Sequence, residues 1–168
     1  CQAGKDSLVY AINTKISSLD RYATTIPALI NLWYLIGDPL LTQDPKDLKP
    51  APWLVTEWKQ TDPVTWEFKL RSGVLFHSGN EFTAESVRFT VMDVILDPAR
   101  KSPNAGSFNW IKMIQVIDKY SFRIVCHNPY PVVLYRLAEL TPYDPEYFKA
   151  LGWEQASANP VGTGPYKM

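Results

Sequence analysis

Hydrophobic residues recur at helical spacing in one early stretch of the chain. Between positions 26 and 36 the apolar residues lie three or four positions apart, which places them on one face of a helix. They are Ile26, Leu29, Ile30, Trp33 and Ile36. A Gly-Asp-Pro sequence follows at positions 37–39. It predicts that the helix ends there, because neither glycine nor proline continues a helix well.

Alternating patterns predict two β-hairpins further along the chain. Residues 65–70 alternate large apolar side chains with charged ones, which is typical of a half-buried strand. They are predicted to pair with residues 53–58 through a turn at Asp62-Pro63. Residues 111–117 and 122–126 form the second predicted hairpin, around the polar turn 118–121.

Helices and loops fill the remaining sequence. Thr83 is the predicted N-cap of a helix whose apolar stripe ends before Asp97-Pro98. Shorter helices are predicted at residues 131–140 and 144–151, a strand at 7–12, an extended segment at 40–42, and loops at 42–52 and 99–109. A last strand begins at 166 and is expected to continue beyond Met168, since a strand needs partners. Mixed helices and antiparallel hairpins predict an α/β fold of mixed, α+β-like character.

Composition and charge exclude some classes of function and partner. The chain has 168 residues, of which 46% are hydrophobic, enough for one core of ordinary size. Seventeen basic and seventeen acidic residues are mixed along the chain, which argues against nucleic acid or an anionic membrane surface as the main partner. No apolar run is long enough to span a bilayer. Six Trp and nine Tyr indicate either aromatic core packing or an aromatic-lined ligand cleft.

The two cysteines, Cys1 and Cys126, have different surroundings in the sequence. A disulfide between them is one possibility. Because Cys126 ends an apolar run, it is predicted to be a buried free thiol instead. A cysteine at position 1 is what a processed lipoprotein shows after loss of its signal peptide, so lipidation at Cys1 is a hypothesis. The alternative is an arbitrary boundary of the chain.

The stretch from position 65 to 87 reads TWEFKLRSGVLFHSGNEFTAESV and carries a family resemblance. It closely resembles the signature of extracellular solute-binding proteins of the peptide/nickel class, family 5, which serve ABC importers. The matching positions are Leu70, Arg71, Gly73, Val74, Phe76, His77, Gly79, Phe82, Thr83, Ala84 and Val87. Gly73 and Gly79 flank the central segment and are expected to have positive φ.

A second motif and several departures complete the resemblance. Residues 159–166, NPVGTGPY, look like the family's return crossing from its small subdomain to its main lobe. Ser78, Asn80-Glu81 and Ser86 stand where the family usually has Asp, Thr-Pro and Asp. Arg21 replaces a proline that usually follows Leu-Asp. These differences fall in expected scaffold and are expected to alter only local hydrogen bonding.

The resemblance implies a partial first lobe of a bilobal periplasmic-binding-protein fold. Residues 1–41 and 156–168 would belong to the main sheet of that lobe, and residues 42–155 to a small α/β subdomain. The second lobe would lie outside this chain, because family members are much longer. Such a protein would bind its ligand between the two lobes.

The function implied is capture of a small solute, foremost a peptide, and its delivery to an ABC transporter permease. The protein would act at the periplasmic or extracellular face of the cytoplasmic membrane, with a membrane contact only through a lipid anchor at Cys1. Alternatives on the same scaffold are a ligand-sensing receptor, a chaperone-like protein, or a binder of nickel, its chelates or oligosaccharides. No cofactor is expected.

Two segments of this chain match the ligand-contacting parts of the family's first lobe. They supply the candidate ligand-binding residues Tyr22, Thr24, Thr25, Asn104, Ser107 and Phe108. Hydroxyl and amide groups can bond a peptide main chain, and a ring can cover an apolar side chain. The loop 99–109 is expected to be exposed and mobile, with Asn104 at its ligand-contacting tip.

The sequence gives little support for catalysis or for metal binding. His77 and Ser78 are adjacent, and neighbouring residues on an extended chain point to opposite faces, so they cannot readily act as base and nucleophile. His77 is expected to be a scaffold residue that bonds the turn at Ser78-Gly79. The two histidines, His77 and His127, lie fifty residues apart without a metal-ligand spacing. We therefore expect a binding protein without catalytic or metal-ligating residues in this chain.

Overall fold

The computed structural model describes residues 8, 9, 11, 15 and 18–168. Its strands are β1 (Leu41–Gln43), β2 (Pro50–Pro52), β3 (Val55–Asp62), β4 (Thr65–Leu70), β5 (Ile111–Asp118) and β6 (Ser121–Cys126). Its α-helices are α1 (Pro27–Ile36), α2 (Ala84–Arg88), α3 (Ala105–Phe108), α4 (Val133–Leu137), α5 (Pro145–Leu151) and α6 (Trp153–Ala158). A π-helical segment, Phe89–Ile95, continues α2. The predicted mixed α/β fold is confirmed.

The four longer strands form one antiparallel sheet in the order β3-β4-β6-β5. Both predicted hairpins are therefore present. On the buried face Phe68 lies opposite Phe122, and the two rings stack with centroids 5.1 Å apart. On the other face Glu67 lies opposite Arg123 and forms an ion pair with it. This apolar-in, polar-out alternation is what an antiparallel sheet with one solvated face requires.

The helix predicted after Thr83 packs against the sheet, and its predicted apolar stripe is buried. Val87, Val91, Val94 and Ile95 are all at most 1% exposed. The α-helix gives way to a π-helix, in which Leu96 N–H donates to the carbonyl of Val91, 2.9 Å away. The Thr90 hydroxyl donates to the Ser86 carbonyl at 2.7 Å and accepts from Tyr143 N–H at 2.8 Å. This side chain therefore joins the helix to the segment before α5.

Helix α1 begins and ends close to the predicted positions. Pro27 occupies its first turn, where the missing N–H costs no hydrogen bond. Gly37 N–H donates to the Trp33 carbonyl at 2.7 Å and closes the last turn. Leu29, Trp33 and Ile36 are buried, and the Trp33 ring lies 5.3 Å from that of Tyr143.

Several predicted boundaries are wrong. Residues 50–52, predicted as loop, form β2 and pair with β1, because proline is tolerated in an edge strand. Strand β3 continues to Asp62, so the hairpin turn lies at positions 63–64. Residues 105–108 form the short helix α3, and helix α6 was not predicted. Among the described residues, 166–168 pair with no strand.

Cys126 is a free thiol that is 3% exposed, as the sequence predicts, and burial raises its pKa. Cys1 lies outside the described residues, as does most of the candidate strand at 7–12. Lipidation of Cys1 therefore stays a prediction. Within the described part of the chain, no helix is both long and apolar enough to cross a membrane.

The positive φ expected at both signature glycines is confirmed, with 72° at Gly73 and 94° at Gly79. Gly79→Val should lower the free energy of unfolding by about 1–3 kcal/mol, because a β-branched residue is strained at this φ. The space around a Cβ at this position is open, so the cost comes from the backbone. Urea denaturation measures it. Gly106→Val, also in open space but without positive φ, is the matched control and should lose less; equal losses would contradict the explanation.

Candidate ligand-contact site

The structure brings the two sequence-predicted ligand segments together. The Asn104 side-chain amide donates to the Tyr22 carbonyl at 3.2 Å and to the Thr24 carbonyl at 3.1 Å. The Ser102 hydroxyl donates to the same Tyr22 carbonyl at 2.7 Å. The loop that precedes α3 therefore fixes the backbone of the segment that precedes α1, although the two are about eighty positions apart in sequence.

The expectation that Asn104 forms an exposed loop tip is wrong. Asn104 is only 9% exposed, and its amide hydrogens are used by main-chain carbonyls. Phe108 is 2% exposed and lies in the hydrophobic core. Ser107 is half-buried, and its carbonyl accepts from the Trp110 indole N–H at 3.0 Å. Direct ligand contact by Asn104, Ser107 and Phe108 stays a prediction.

Tyr22 is held by a buried hydrogen-bond network. It is 2% exposed, and its hydroxyl donates to the Thr141 carbonyl at 2.8 Å and accepts from Thr141 N–H at 3.1 Å. The hydroxyl of Tyr143 donates to Asp20 Oδ1 at 2.8 Å and accepts from Arg21 N–H at 2.7 Å. Burial raises the pKa of both phenols, so both remain neutral donors.

The side chains that this segment offers to solvent are few. Thr25 is exposed, and Thr24 is half-buried with its hydroxyl accepting from Ile26 N–H at 3.2 Å. Ala23, between them and Tyr22, is also exposed. The network therefore presents Thr24 and Thr25 on a fixed backbone, which is the preorganisation that a ligand-binding segment requires.

A cavity of about 550 Å³ opens beside this segment. Its lining includes Asp20, Ala23, Trp153, Glu154 and Ser157. The Ser157 hydroxyl is buried and has no hydrogen-bond partner among the described residues. Arg100, from the loop 99–109, stacks on Trp153 with its guanidinium carbon 3.4 Å from the ring centroid.

Trp153 and Ser157 line this cavity but are not among the residues predicted from the sequence. Both belong to α6, a helix that was not predicted because Gly152 appeared only to end α5. The six tryptophans indicate either core packing or an aromatic-lined cleft, and nothing in the sequence pattern distinguishes Trp153 from the others. The cavity volume falls within the range typical of small-molecule sites.

His77 has a scaffold position, but not the predicted one. Its ring accepts from Gly162 N–H at Nδ1, 3.3 Å away, and its Nε2 lies 2.7 Å from the Gly164 carbonyl, which assigns the proton to Nε2. It thus joins the first motif to the Gly-Thr-Gly motif rather than to Ser78-Gly79. Ser78 donates instead to Asp144 Oδ2 at 2.6 Å. His77 and Ser78 therefore have separate partners, unlike a base and its nucleophile.

Within residues 8, 9, 11, 15 and 18–168, no group of three or more His, Cys, Asp or Glu side chains is arranged to hold a metal ion.

The burial of Asn104 leads to a stability prediction. Asn104→Ala should lower the free energy of unfolding by about 1–2 kcal/mol, because it leaves two buried carbonyl groups with fewer donors. The ligand segment should also lose its fixed backbone, so binding should weaken in parallel. Chemical denaturation and calorimetric titration measure the two effects. The control is Asn109→Ala, at an exposed position; an unchanged stability in Asn104→Ala would contradict the structural role.

Comparison with known proteins gives a consistent result. The family described as "Bacterial extracellular solute-binding proteins, family 5 Middle" matches residues 49–168. The glutathione-binding protein GsiB of Pectobacterium atrosepticum is 27% identical over 99% of this chain and 32% of its own length. An uncharacterised Bacillus subtilis protein, YhjP, is 28% identical over 91% of this chain and 25% of its own length.

Solved structures agree on the fold. NikZ from Campylobacter jejuni, in complex with Ni(L-His), superposes on 98% of this chain with a TM-score of 0.82 and 26% identity. A dipeptide-binding protein from Pseudoalteromonas, in complex with Met-Leu, covers 90% of this chain with a TM-score of 0.78 and 26% identity. This chain spans 33% and 34% of these two proteins, and a quarter to a third of the curated relatives.

Proposed function

The chain belongs to the bacterial extracellular solute-binding proteins of family 5, and we propose that it is part of a protein that captures a small solute outside the cytoplasmic membrane and delivers it to an ABC transporter. The family match over residues 49–168 carries this proposal. The superposition on NikZ over almost the whole described chain supports it. The GsiB relative and the Pseudoalteromonas protein are both named as binding proteins, so the proposed activity is binding rather than catalysis.

The proposed solute is a peptide. Support comes from relatives named for peptide-like ligands: the GsiB protein, the Met-Leu complex, and the Helicobacter pylori protein DppA in complex with the peptide STSA. The site has matching chemistry, because the exposed hydroxyl of Thr25 can bond main-chain groups.

A metal chelate is the second candidate solute. The NikZ structure, whose TM-score is 0.82, holds Ni(L-His). In that case the described part of this chain would contact the organic part of the chelate, since it contains no metal-ligand cluster of its own. The predicted division into main-sheet residues 1–41 and 156–168 and a subdomain at 42–155 belongs to the proposal, together with closure of a second lobe over the ligand.

The test is a ligand screen on the full-length protein. Dipeptides, tripeptides including glutathione, and Ni(L-His) are titrated by calorimetry and by thermal shift. A bound solute stabilises the folded state by about 2.7 kcal/mol at one hundred times its Kd. Peptide binding that Thr25→Val weakens would support the peptide proposal. Binding of the chelate alone would favour the second candidate, and no binding of either class would contradict both.

A further inference from the structure

A second groove, the α1-end groove, lies at the opposite end of helix α1 from Thr24 and Thr25. Its volume is about 520 Å³, and its lining includes Tyr34, Asp38, Gln43, Trp53, Tyr135 and Glu139. Helix α1 has ten residues and is therefore about 15 Å long. The groove is thus separate from the candidate ligand-contact site described above.

Three aromatic side chains in this groove are unusually exposed. Tyr34, Trp53 and Tyr135 are 43%, 45% and 43% exposed. Within the described part of the chain, none of the three stacks on another ring, whereas most other aromatic side chains of the core do. Each of these side chains is therefore partly accessible to a bound molecule.

The Trp53 ring is nevertheless fixed in place. Its indole N–H donates to Asp38 Oδ1 at 2.8 Å, and its main-chain carbonyl accepts from Arg71 Nε at 3.1 Å. Asp38 is held in turn by the Thr163 hydroxyl, which donates to Oδ2 at 2.9 Å and accepts from Asp38 N–H at 3.1 Å. A rigid, exposed ring beside an oriented carboxylate loses little conformational entropy when a ligand binds.

The described lining of the groove has two acidic side chains and no basic one, which disfavours an anionic ligand. Of its two acidic residues, Glu139 is paired with Arg136 at 3.0 Å, and Asp38 shares a small neighbouring cavity with Arg71. Both carboxylates keep lone pairs for further donors, and Gln43 adds an amide that donates and accepts. The groove thus combines flat apolar faces with hydrogen-bonding groups that suit hydroxyls.

From this combination we propose that the α1-end groove binds a sugar ring, either as a free saccharide or as a unit of a glycan. A pyranose has apolar C–H faces that pack on aromatic rings. The hydroxyls around its edge can donate hydrogen bonds to carboxylate and amide oxygens. The cavity volume lies within the range of small-molecule sites. This inference does not rest on the proposed transport function, because the groove and the candidate ligand-contact site lie at opposite ends of α1.

The test uses the full-length protein and two matched probes. Methyl β-D-glucopyranoside presents a rigid ring, and sorbitol carries hydroxyls on a flexible open chain. Indole N–H resonances of ¹⁵N-labelled protein are followed by NMR, with Trp53→Phe used to assign Trp53. We expect the glucoside, but not sorbitol, to shift the Trp53 resonance at millimolar concentration. Equal responses to both probes, or none to either, would overturn the proposal.

Variants test whether the Trp53 ring binds the sugar, and a longer saccharide tests whether the ligand is a glycan. Trp53→Ala should weaken glucoside binding at least about tenfold, whereas Trp53→Phe, which keeps a ring, should retain most of it. Tyr166→Ala removes a similarly exposed tyrosine outside the groove and should change nothing. If cellotetraose binds more tightly than the monosaccharide, the ligand of the groove is a glycan. If the two bind equally, the ligand is a free sugar. Displacement of the glucoside by a peptide or chelate bound at the candidate ligand-contact site would contradict a separate groove.

Discussion

Gly162→Ala is expected to lower the free energy of unfolding by about 3–4 kcal/mol, a large loss for a single added methyl group. A Cβ at this position would lie 2.3 Å from the Ile36 carbonyl oxygen and 2.8 Å from the Gly37 Cα. Both obstacles are main-chain atoms, so no change of rotamer can relieve the contact. The backbone of Gly162 is also fixed on its other side, because His77 N–H donates to its carbonyl at 2.8 Å.

The measurement is urea denaturation of Gly162→Ala beside Gly106→Ala. Gly106 is the matched control, since a Cβ there meets nothing within 4 Å and the residue lies in helix α3. The control should be neutral or slightly stabilising, because alanine is favoured over glycine in a helix. A loss below about 1 kcal/mol in Gly162→Ala would mean that the backbone at Gly162 moves easily away from the backbone at Ile36 and Gly37, contrary to the observed packing.

The glycines of the Gly-Thr-Gly motif have a physical cause that the sequence alone does not reveal. The Gly-Thr-Gly sequence was assigned to a return crossing between parts of a lobe, on resemblance alone. The structure shows why glycine is needed: Gly164 N–H donates to the Ile36 carbonyl at 2.8 Å, so the motif lies directly against the end of α1. Such a close approach depends on residues more than 120 positions away, which no local pattern contains.

Elements with strong local patterns were predicted well. The strands at 65–70 and 122–126 alternate because one face of the sheet is buried and the other solvated. Helix α6 was missed because its pattern is weak: among its residues only Ala156 is buried. Helix α6 also follows α5 without a loop. Gly152, with a φ of 77°, ends α5 and lets the chain turn directly into α6.

The two candidate ligand segments are adjacent in the structure, and ligand contact by their residues stays a prediction. The segments at 22–25 and 104–108 do meet, as the family resemblance implied. A polar sequence cannot show whether an asparagine faces solvent or bonds a distant main chain. Asn104 does the second, so Thr25 is the candidate residue of this segment whose side chain remains exposed.

Asp144→Ala is expected to lower the free energy of unfolding by about 3–4 kcal/mol, because one buried carboxylate serves two structural elements. Asp144 is 1% exposed. Its Oδ1 accepts from Glu146 N–H and Tyr147 N–H, both at 3.1 Å, and so caps helix α5. Its Oδ2 accepts from the Ser78 hydroxyl at 2.6 Å and the Asn80 amide at 2.9 Å.

Ser78 and Asn80 are two of the positions that depart from the family pattern, and Asp144 gives these departures a physical meaning. An aspartate at position 78 would place a second carboxylate beside Asp144, whereas serine and asparagine supply donors. A double-mutant cycle of Ser78→Ala and Asp144→Ala, followed by urea denaturation, should give a coupling energy of about 1–2 kcal/mol. Asp62→Ala is the control, since Asp62 bonds a main-chain N–H in an exposed turn and should matter much less. Strict additivity of the two substitutions would mean that the cap on α5, and not the bond to Ser78, accounts for the loss.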